Sequence, residues 1–532
     1  MRKRLYGVAF AVILTMPVAI AGVSAAASAG PSSLQARLAS RFVHGAQVAT
    51  GTPITGTVTT PIPDVTGPIP VTESSYPFND PAHNFTPVSL LKHGYEEQEY
   101  FVSGTANVYS SPTLGTIIST ASGPYETRIL IRRPIDPRRF SGNVFVEMLN
   151  PTSLFDVDIM WAADQNYYMS HGDIWVGITV KPVSVASLKV FDPKRYAPLS
   201  MANPVPAGQT CPNPNGGGTP ATENGLAWDM VSQVGALLKS SAAANPLGHL
   251  GVRAEYLTGY SQTGGYEVTY INAIAPHFVL ADGAPIYDGY LIGTGYGFVE
   301  PINQCEAAPA PGSAQWVVHP PGDAPVIDVQ TLSDFYALSG VSGERPDGTG
   351  PGDNYRLYQV PGASHVWAEQ VAYAPGSAEE VKAGFPANYW FPYCAQGVNP
   401  FPLQYVLDAA SASLTRWVRA GIPAPSAARI TVTGTGQTVN DVYGNAEGGV
   451  RTPYVDVPTG TYYGTTPGTG TCQYLWGHED PFAGYFLKTL YPTHATYVGK
   501  VSADVRTLVS QAWLTAADGS AIIGEAERSR VR

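Results

Sequence analysis

Glu255-Tyr256-Leu257-Thr258-Gly259-Tyr260-Ser261-Gln262-Thr263-Gly264-Gly265 decides the fold. Glu255–Thr258 has the composition of a buried strand, and the apolar residues from Gln262 to Ala275 follow a helical period. Between them the chain must turn sharply around Ser261. A strand–Ser–helix turn of this kind lifts a serine hydroxyl above the carboxyl edge of a parallel sheet. The helix start supplies unpaired backbone N–H groups beside it. Ser261 therefore reads as a nucleophile, with the Gln262 N–H as an oxyanion donor. Gly259 gives the turn the small residue it needs two positions before the serine, while Thr263 stands where a second glycine is usual.

Outward from this turn, strand and helix signals alternate. Thr127–Arg132, Gly142–Leu149, Asp173–Val180, Ala324–Val329 and Tyr355–Val360 read as strands. Gly225–Ser240 and Pro402–Ala420 repeat apolar residues at helical spacing. The alternation predicts an α/β fold with a mostly parallel central sheet flanked by helices. Residues 30–94, rich in Pro, Thr and Gly, read as an extended segment on the surface. Residues 425–532, rich in Gly, Thr and Tyr with a helix near Val501–Leu514, read as an appendage to the same domain, placed to fold over the site.

A serine hydroxyl needs a base, and in this fold the acid and the histidine follow it in that order. His365 comes directly after the Tyr355–Val360 strand, in Pro361-Gly362-Ala363-Ser364-His365. Asp334, after the preceding strand, is the expected acid; Asp328, Asp282 and Asp288 are alternatives, and Asp347 and Asp353 read as turn residues. The second oxyanion donor is expected from Leu149-Asn150-Pro151-Thr152-Ser153, and since Pro151 has no N–H, from Asn150 or Thr152. Asn150 reads equally as a turn cap. Tyr260, Tyr287 and Trp367, with Tyr290 and Tyr389-Trp390-Phe391, are candidates for an aromatic-lined substrate pocket, although large aromatics are more often core.

The chain start has the three parts of a secretory leader: Arg2-Lys3-Arg4, an apolar run from Leu5 to Val23, and small residues through Ala29. Residues 1–29 are expected to be removed and 30–532 to form one soluble, exported hydrolase domain. In such a compartment Cys211, Cys305, Cys394 and Cys472 are expected to pair as Cys211–Cys305 and Cys394–Cys472. A net charge of −11, with no basic cluster beyond the leader, argues against a nucleic-acid partner. No His-Glu-x-x-His or Gly-x-Gly-x-x-Gly pattern is present, so neither a metal nor a dinucleotide cofactor is expected.

Several stretches resemble the bacterial "alpha/beta hydrolase domain" family: His93–Phe101, Tyr125–Pro134, Val146–Asn150, Gly259–Gln262, Tyr287–Tyr290, Val360–His365 and Gly444–Pro453. The resemblance implies Ser261 as nucleophile and His365 as base, and draws the tail into the hydrolase domain. Family members often carry a Glu beside the Asp near position 332, where this chain has Leu332. Ester hydrolysis of a small or polymeric substrate is the first reading. Amide hydrolysis or acyl transfer by the same residues, and a binding protein on an inactive scaffold, are the alternatives.

Overall fold

Short runs of β-branched and aromatic residues build the central sheet. The computed structural model describes residues 51–205, 221–294, 299–337, 343–348, 350–389, 394, 397–468 and 471–531. Eight strands carry the architecture: β1 Tyr95–Thr113, β2 Thr116–Pro134, β3 Asn143–Met148, β4 Ile174–Ile178, β5 Ala254–Tyr260, β6 Gly289–Gly293, β7 Val326–Thr331 and β8 Tyr355–Val360. Their order across the sheet is β8-β7-β6-β5-β3-β4-β2-β1. From β4 to β8 all neighbours are parallel. β2 joins β4 antiparallel and forms a long hairpin with β1. The parallel strands are buried along their whole length, as strands covered on both faces must be. The longer helices are α1 Ile159–His171, α2 Pro182–Phe191, α3 Ala227–Lys239, α4 Gln262–Thr269, α5 Gln404–Ala420, α6 His494–Ser510 and α7 Ala516–Arg528. α4 continues through one π-helical turn, Tyr270–Ile274, close to the expected end of that helix.

The hairpin is the main departure from the sequence reading, which found only Thr127–Arg132 of its two strands of 19 residues each. Ser, Gly and Thr crowd its middle, and register shifts at Val108/Tyr109 and Ser110/Thr113 break the alternation. The described part of the N-terminal segment adds Thr52–Pro53 to β2 and Asp64–Thr66 to β1, and it also forms 3-10 turns at Pro81–His83 and Leu90–His93. The expected leader lies outside the described residues, as does Cys211. Cys394 and Cys472 are disulfide-bonded, with 5.6 Å between their Cα atoms. No helix among the described residues is long and apolar enough to cross a membrane.

Buried charge fixes the loop that follows β3. On β2, Arg128 donates to Asp156 at 2.9 Å and lies 3.2 Å from Glu99; Arg132 donates to Glu97 at 2.7 Å and to Asp158 at 2.5 Å. The Arg132 guanidinium sits between the rings of Trp161 and Trp175, at 4.5 and 4.3 Å. On β3, the Glu147 carboxyl accepts from the N–H groups of Met160 and Trp161 at 2.9 and 3.0 Å and from the Trp175 indole at 2.8 Å. Residues 149–158 are thus held at both ends. Arg132→Met, which strands Asp158 and Glu97 in the interior, is expected to lower stability by about 3–5 kcal/mol in denaturant titration.

The tail docks on the core through a second cluster. Asp164 of α1, Asp408 of α5 and Asp518 of α7 interact side chain to side chain. Ser411 donates to Asp164 at 2.6 Å and Thr515 to Asp518 at 2.5 Å. Burial raises all three carboxyls, that of Asp164 to about 7. Groups that are protonated in the folded state above their unfolded range contribute stability that is full below about pH 4 and is lost as pH rises through about 7. Protection of residues 516–528 against hydrogen exchange, after correction for the intrinsic rise of exchange with pH, is therefore expected to fall as pH rises through about 7. Asp408→Asn should remove most of that dependence; an unchanged profile would refute the cluster's role.

Candidate active site

Three strand ends bring the site together. β5 ends at Tyr260, and the chain reverses through Ser261 with φ 58° and ψ −117°, a strained backbone for a residue with a side chain. The Ser261 N–H donates to the Gly293 carbonyl at the end of β6, at 3.0 Å. A Cβ on Gly259 would stand 2.4 Å from the Thr263 carbonyl, so only glycine fits there. Thr263, by contrast, is used. Its hydroxyl accepts from the Tyr260 N–H and donates to the Tyr260 carbonyl, both at 3.1 Å, and so staples the turn from inside.

β7 ends at Thr331 and leads into a short helix, Leu332–Ala337, whose first turn carries Asp334. One Asp334 oxygen accepts from the Thr331 N–H and hydroxyl at 2.8 and 2.6 Å; the other faces Nδ1 of His365 at 2.6 Å. His365 follows β8, and its Nε2 lies 2.7 Å from the Ser261 hydroxyl. With Nδ1–H donating to Asp334, Nε2 accepts from Ser261, and the three residues form one directed chain of hydrogen bonds. Ser261 is half-buried, whereas His365 and Asp334 are buried.

The other carboxylates considered from sequence lie elsewhere. Asp328 is buried within β7 and accepts from the Tyr355 hydroxyl at 3.0 Å. Asp288 accepts from the Glu255 N–H and pairs with Lys239, at the amino ends of β5 and β6. Asp282 caps a turn, while Asp347 and Asp353 pair with Arg429 and Arg345.

Several expectations for the surroundings are corrected. The Asn150 N–H is engaged by the Val157 carbonyl at 2.9 Å and the Thr152 N–H by the Asn150 side chain at 2.9 Å, so neither backbone N–H is free to serve as second oxyanion donor. The Gln262 N–H, in the first turn of α4, has no intrahelical acceptor and remains a donor beside Ser261. Tyr260 is fully buried; its hydroxyl donates to the His365 carbonyl at 2.7 Å and its ring lies 5.4 Å from the imidazole. Trp367, also fully buried, backs Tyr260 at 5.5 Å. Both are packed inside the protein against the histidine loop. Tyr287 lies before β6, at the edge of the sheet opposite Ser261, and donates to the Val231 carbonyl at 2.8 Å as part of the core. Trp390 and Phe391 lie outside the described residues.

Sequence reasoning missed two supports. Ser333 accepts from the His365 N–H at 3.0 Å and donates to the carbonyl of Gly464 in the tail. The Val366 N–H donates to the Leu475 carbonyl at 2.8 Å, close to the Cys394–Cys472 bridge. Nothing local marks either contact: Ser333 lies 32 residues from His365 and 131 from Gly464, and Leu475 is far along the chain from Val366. No cluster of His, Cys, Asp and Glu suited to a metal ion occurs among the described residues.

Ser261 thus sits on a strained turn after the fifth strand, and Asp334 and His365 follow the seventh and eighth. The alpha/beta hydrolase domain family matches residues 65–524. The chain belongs to this family. The match takes in most of the tail. No curated protein matches in sequence. Among solved structures, an alpha/beta serine hydrolase homologue from Coxiella burnetii is 10% identical, covering 49% of this chain and 91% of its own, with a TM-score of 0.24. An alpha/beta serine hydrolase without a lid from Xanthomonas campestris is 9% identical, covering 50% and 85%, with a TM-score of 0.24. A glucuronoyl esterase from Solibacter usitatus is 10% identical, covering 56% and 82%, with a TM-score of 0.27. At these values the likeness says nothing about the substrate of this hydrolase.

Proposed function

We propose that this hydrolase is exported and cleaves a carboxylic ester through an acyl-enzyme formed on Ser261. The observation that carries the reading is the unbroken chain Ser261–His365–Asp334, with contacts of 2.7 and 2.6 Å, at the carboxyl edge of the sheet. In the first half-reaction the Ser261 oxygen attacks the ester carbonyl as His365 Nε2 takes its proton. Asp334 holds the ring in the required tautomer and stabilises the imidazolium. The Gln262 N–H receives the negative charge of the tetrahedral intermediate. Collapse expels the alcohol, which takes the proton back from His365. Water then repeats the sequence on the acyl-enzyme and releases the acid. In this reading residues 425–532 wall one side of the site, through the Gly464 and Leu475 carbonyls.

Esters rank above amides because an alkoxide leaves more readily than an amine, so ester cleavage asks less of His365 as general acid. A binding-only role would leave the histidine–serine contact without purpose. p-Nitrophenyl esters of increasing acyl length, assayed beside aminoacyl p-nitroanilides, test the reaction class. Ester turnover well above anilide turnover is expected; turnover of anilides alone would refute the ester assignment. Export follows from the leader and suits a disulfide-bonded chain. Recovery of the chain only from the cytoplasmic fraction, with residues 1–29 still attached, would contradict it.

A further inference from the structure

His365 lies on a loop, and a loop places a side chain accurately only where its own backbone is held. Tyr260 and Ser333 hold the His365 peptide itself, at its carbonyl and its N–H. The residues on either side of it are held by two later segments, around Asn399 and around Trp476. Asn399 is fully buried, and its Nδ2 donates to the Gly362 carbonyl at 2.9 Å and to the Tyr463 carbonyl at 3.2 Å. Its Oδ1 accepts from the Phe401 N–H at 2.8 Å. The Asn399 N–H donates to the Trp476 carbonyl at 3.2 Å, next to the Leu475 carbonyl that accepts from Val366. Gly477 comes so close that a Cβ there would stand 2.7 Å from Cβ of Ser364 and 3.0 Å from the Asn399 amide nitrogen.

One side chain thus joins the histidine loop, the tail strand Gly460–Tyr463 and its own segment. Two of its partners are carbonyls, which only accept, and the third is an N–H, which only donates. An amide meets that demand with both its hydrogens and its oxygen; a carboxylate has no proton for either carbonyl. The loop has little slack on this side. Gly362 has φ 85°, and a Cβ on it would meet Val455, Phe401 and Tyr462 at 3.0 to 3.2 Å. The Cys394–Cys472 bridge links the two segments, and it packs with Val366, Val371 and Trp476 in one apolar cluster.

We infer that Asn399 is a positioning residue for His365: through the Gly362 carbonyl it clamps the histidine loop to the tail, and the Cys394–Cys472 bridge closes the clamp on the Val366 side. The inference rests on the reaction proposed above, because it needs His365 to act on Ser261. The imidazole contacts to Ser261 and Asp334, at 2.7 and 2.6 Å, leave the ring little room to move. A displacement of about 1 Å in a reacting group costs on the order of 10² in rate. Asn399 is shut off from solvent, so its loss acts on the chemical step and not on substrate binding.

The test follows p-nitrophenyl ester turnover and the rate at which a fluorophosphonate labels Ser261. It compares wild type, Asn399→Ala, Asn399→Asp and the double variant Cys394→Ser/Cys472→Ser, and repeats Asn399→Ala in a His365→Ala background. Both Asn399 variants are expected to lose about 10–100-fold in kcat and in labelling rate, with KM within about threefold. Labelling should still reach one adduct per chain. The double cysteine variant should lose less, because the amide contacts remain. In the His365→Ala background, Asn399→Ala should change the residual rate by less than about threefold, since no ring is left to place. A folded Asn399→Ala with the kcat of wild type would overturn the inference. So would an equal fractional loss in the His365→Ala background, which marks a support of the fold at large. If neither Asn399 variant folds, the double cysteine variant decides, and a labelling rate equal to that of wild type overturns the inference. A wild type that takes the label but hydrolyses no ester contradicts the ester reading alone, and the comparison of labelling rates then stands by itself.

Discussion

Ser261→Ala is expected to turn over an activated ester about 10⁵–10⁶-fold more slowly than wild type. The substitution removes the only atom that bonds to the acyl carbon. Water held near His365 can replace it only poorly, because no group fixes that water at the distance and angle of the serine oxygen. The rest of the site stays in place. Ser261 holds its turn through its backbone N–H on Gly293, and Thr263 staples the turn independently of the serine hydroxyl. Binding of a product carboxylic acid and the thermal unfolding midpoint should therefore change little. Steady-state kinetics at saturating substrate read the effect; a loss below tenfold would mean that another residue carries the chemistry.

Asp334→Asn is expected to lower kcat by about 10⁴. The direction follows from the neighbours of the acid. One oxygen receives both donors of Thr331. In the variant the amide oxygen must remain there, which turns the NH₂ group towards Nδ1 of His365. Nδ1 then accepts, the ring proton moves to Nε2, and two donors face each other at Ser261. The ring stays in position in the wrong tautomer. Asp328→Asn, which disturbs only a contact with Tyr355 inside β7, should keep kcat within about threefold, as a substitution that leaves reacting groups untouched does. Loss of activity in Asp328→Asn with Asp334→Asn unaffected would reverse the assignment of the acid.

What could be read from sequence divides along a physical line. The turn at Ser261, the strand before His365 and the helices Ala227–Lys239 and Gln404–Ala420 are set by residues adjacent in the chain, and each was found within a few positions. Asp334 was singled out because the order of strands leaves few carboxylates after the right one, and it does lie 2.6 Å from Nδ1 of His365. Thr263, a departure in the motif, turns out to support the turn through its hydroxyl. The β1/β2 hairpin was hidden because its side chains are small and its register shifts. The aromatic residues misled in the usual way: Tyr260, Trp367 and Tyr287 are buried, and burial is what large rings do by default. That the Asn150 and Thr152 N–H groups are engaged could not be read from spacing, since it depends on contacts from Asn150 and Val157 that only the folded loop reveals.

The central claim is that Ser261 is a nucleophile activated by His365. Treatment with a fluorophosphonate, followed by peptide mass mapping, tests it most directly. The account predicts one adduct per chain, on Ser261, in the wild type. It predicts much slower labelling of His365→Ala and none of Ser261→Ala. An adduct on any other residue, labelling of Ser261→Ala, or a folded wild type that takes no label would contradict it.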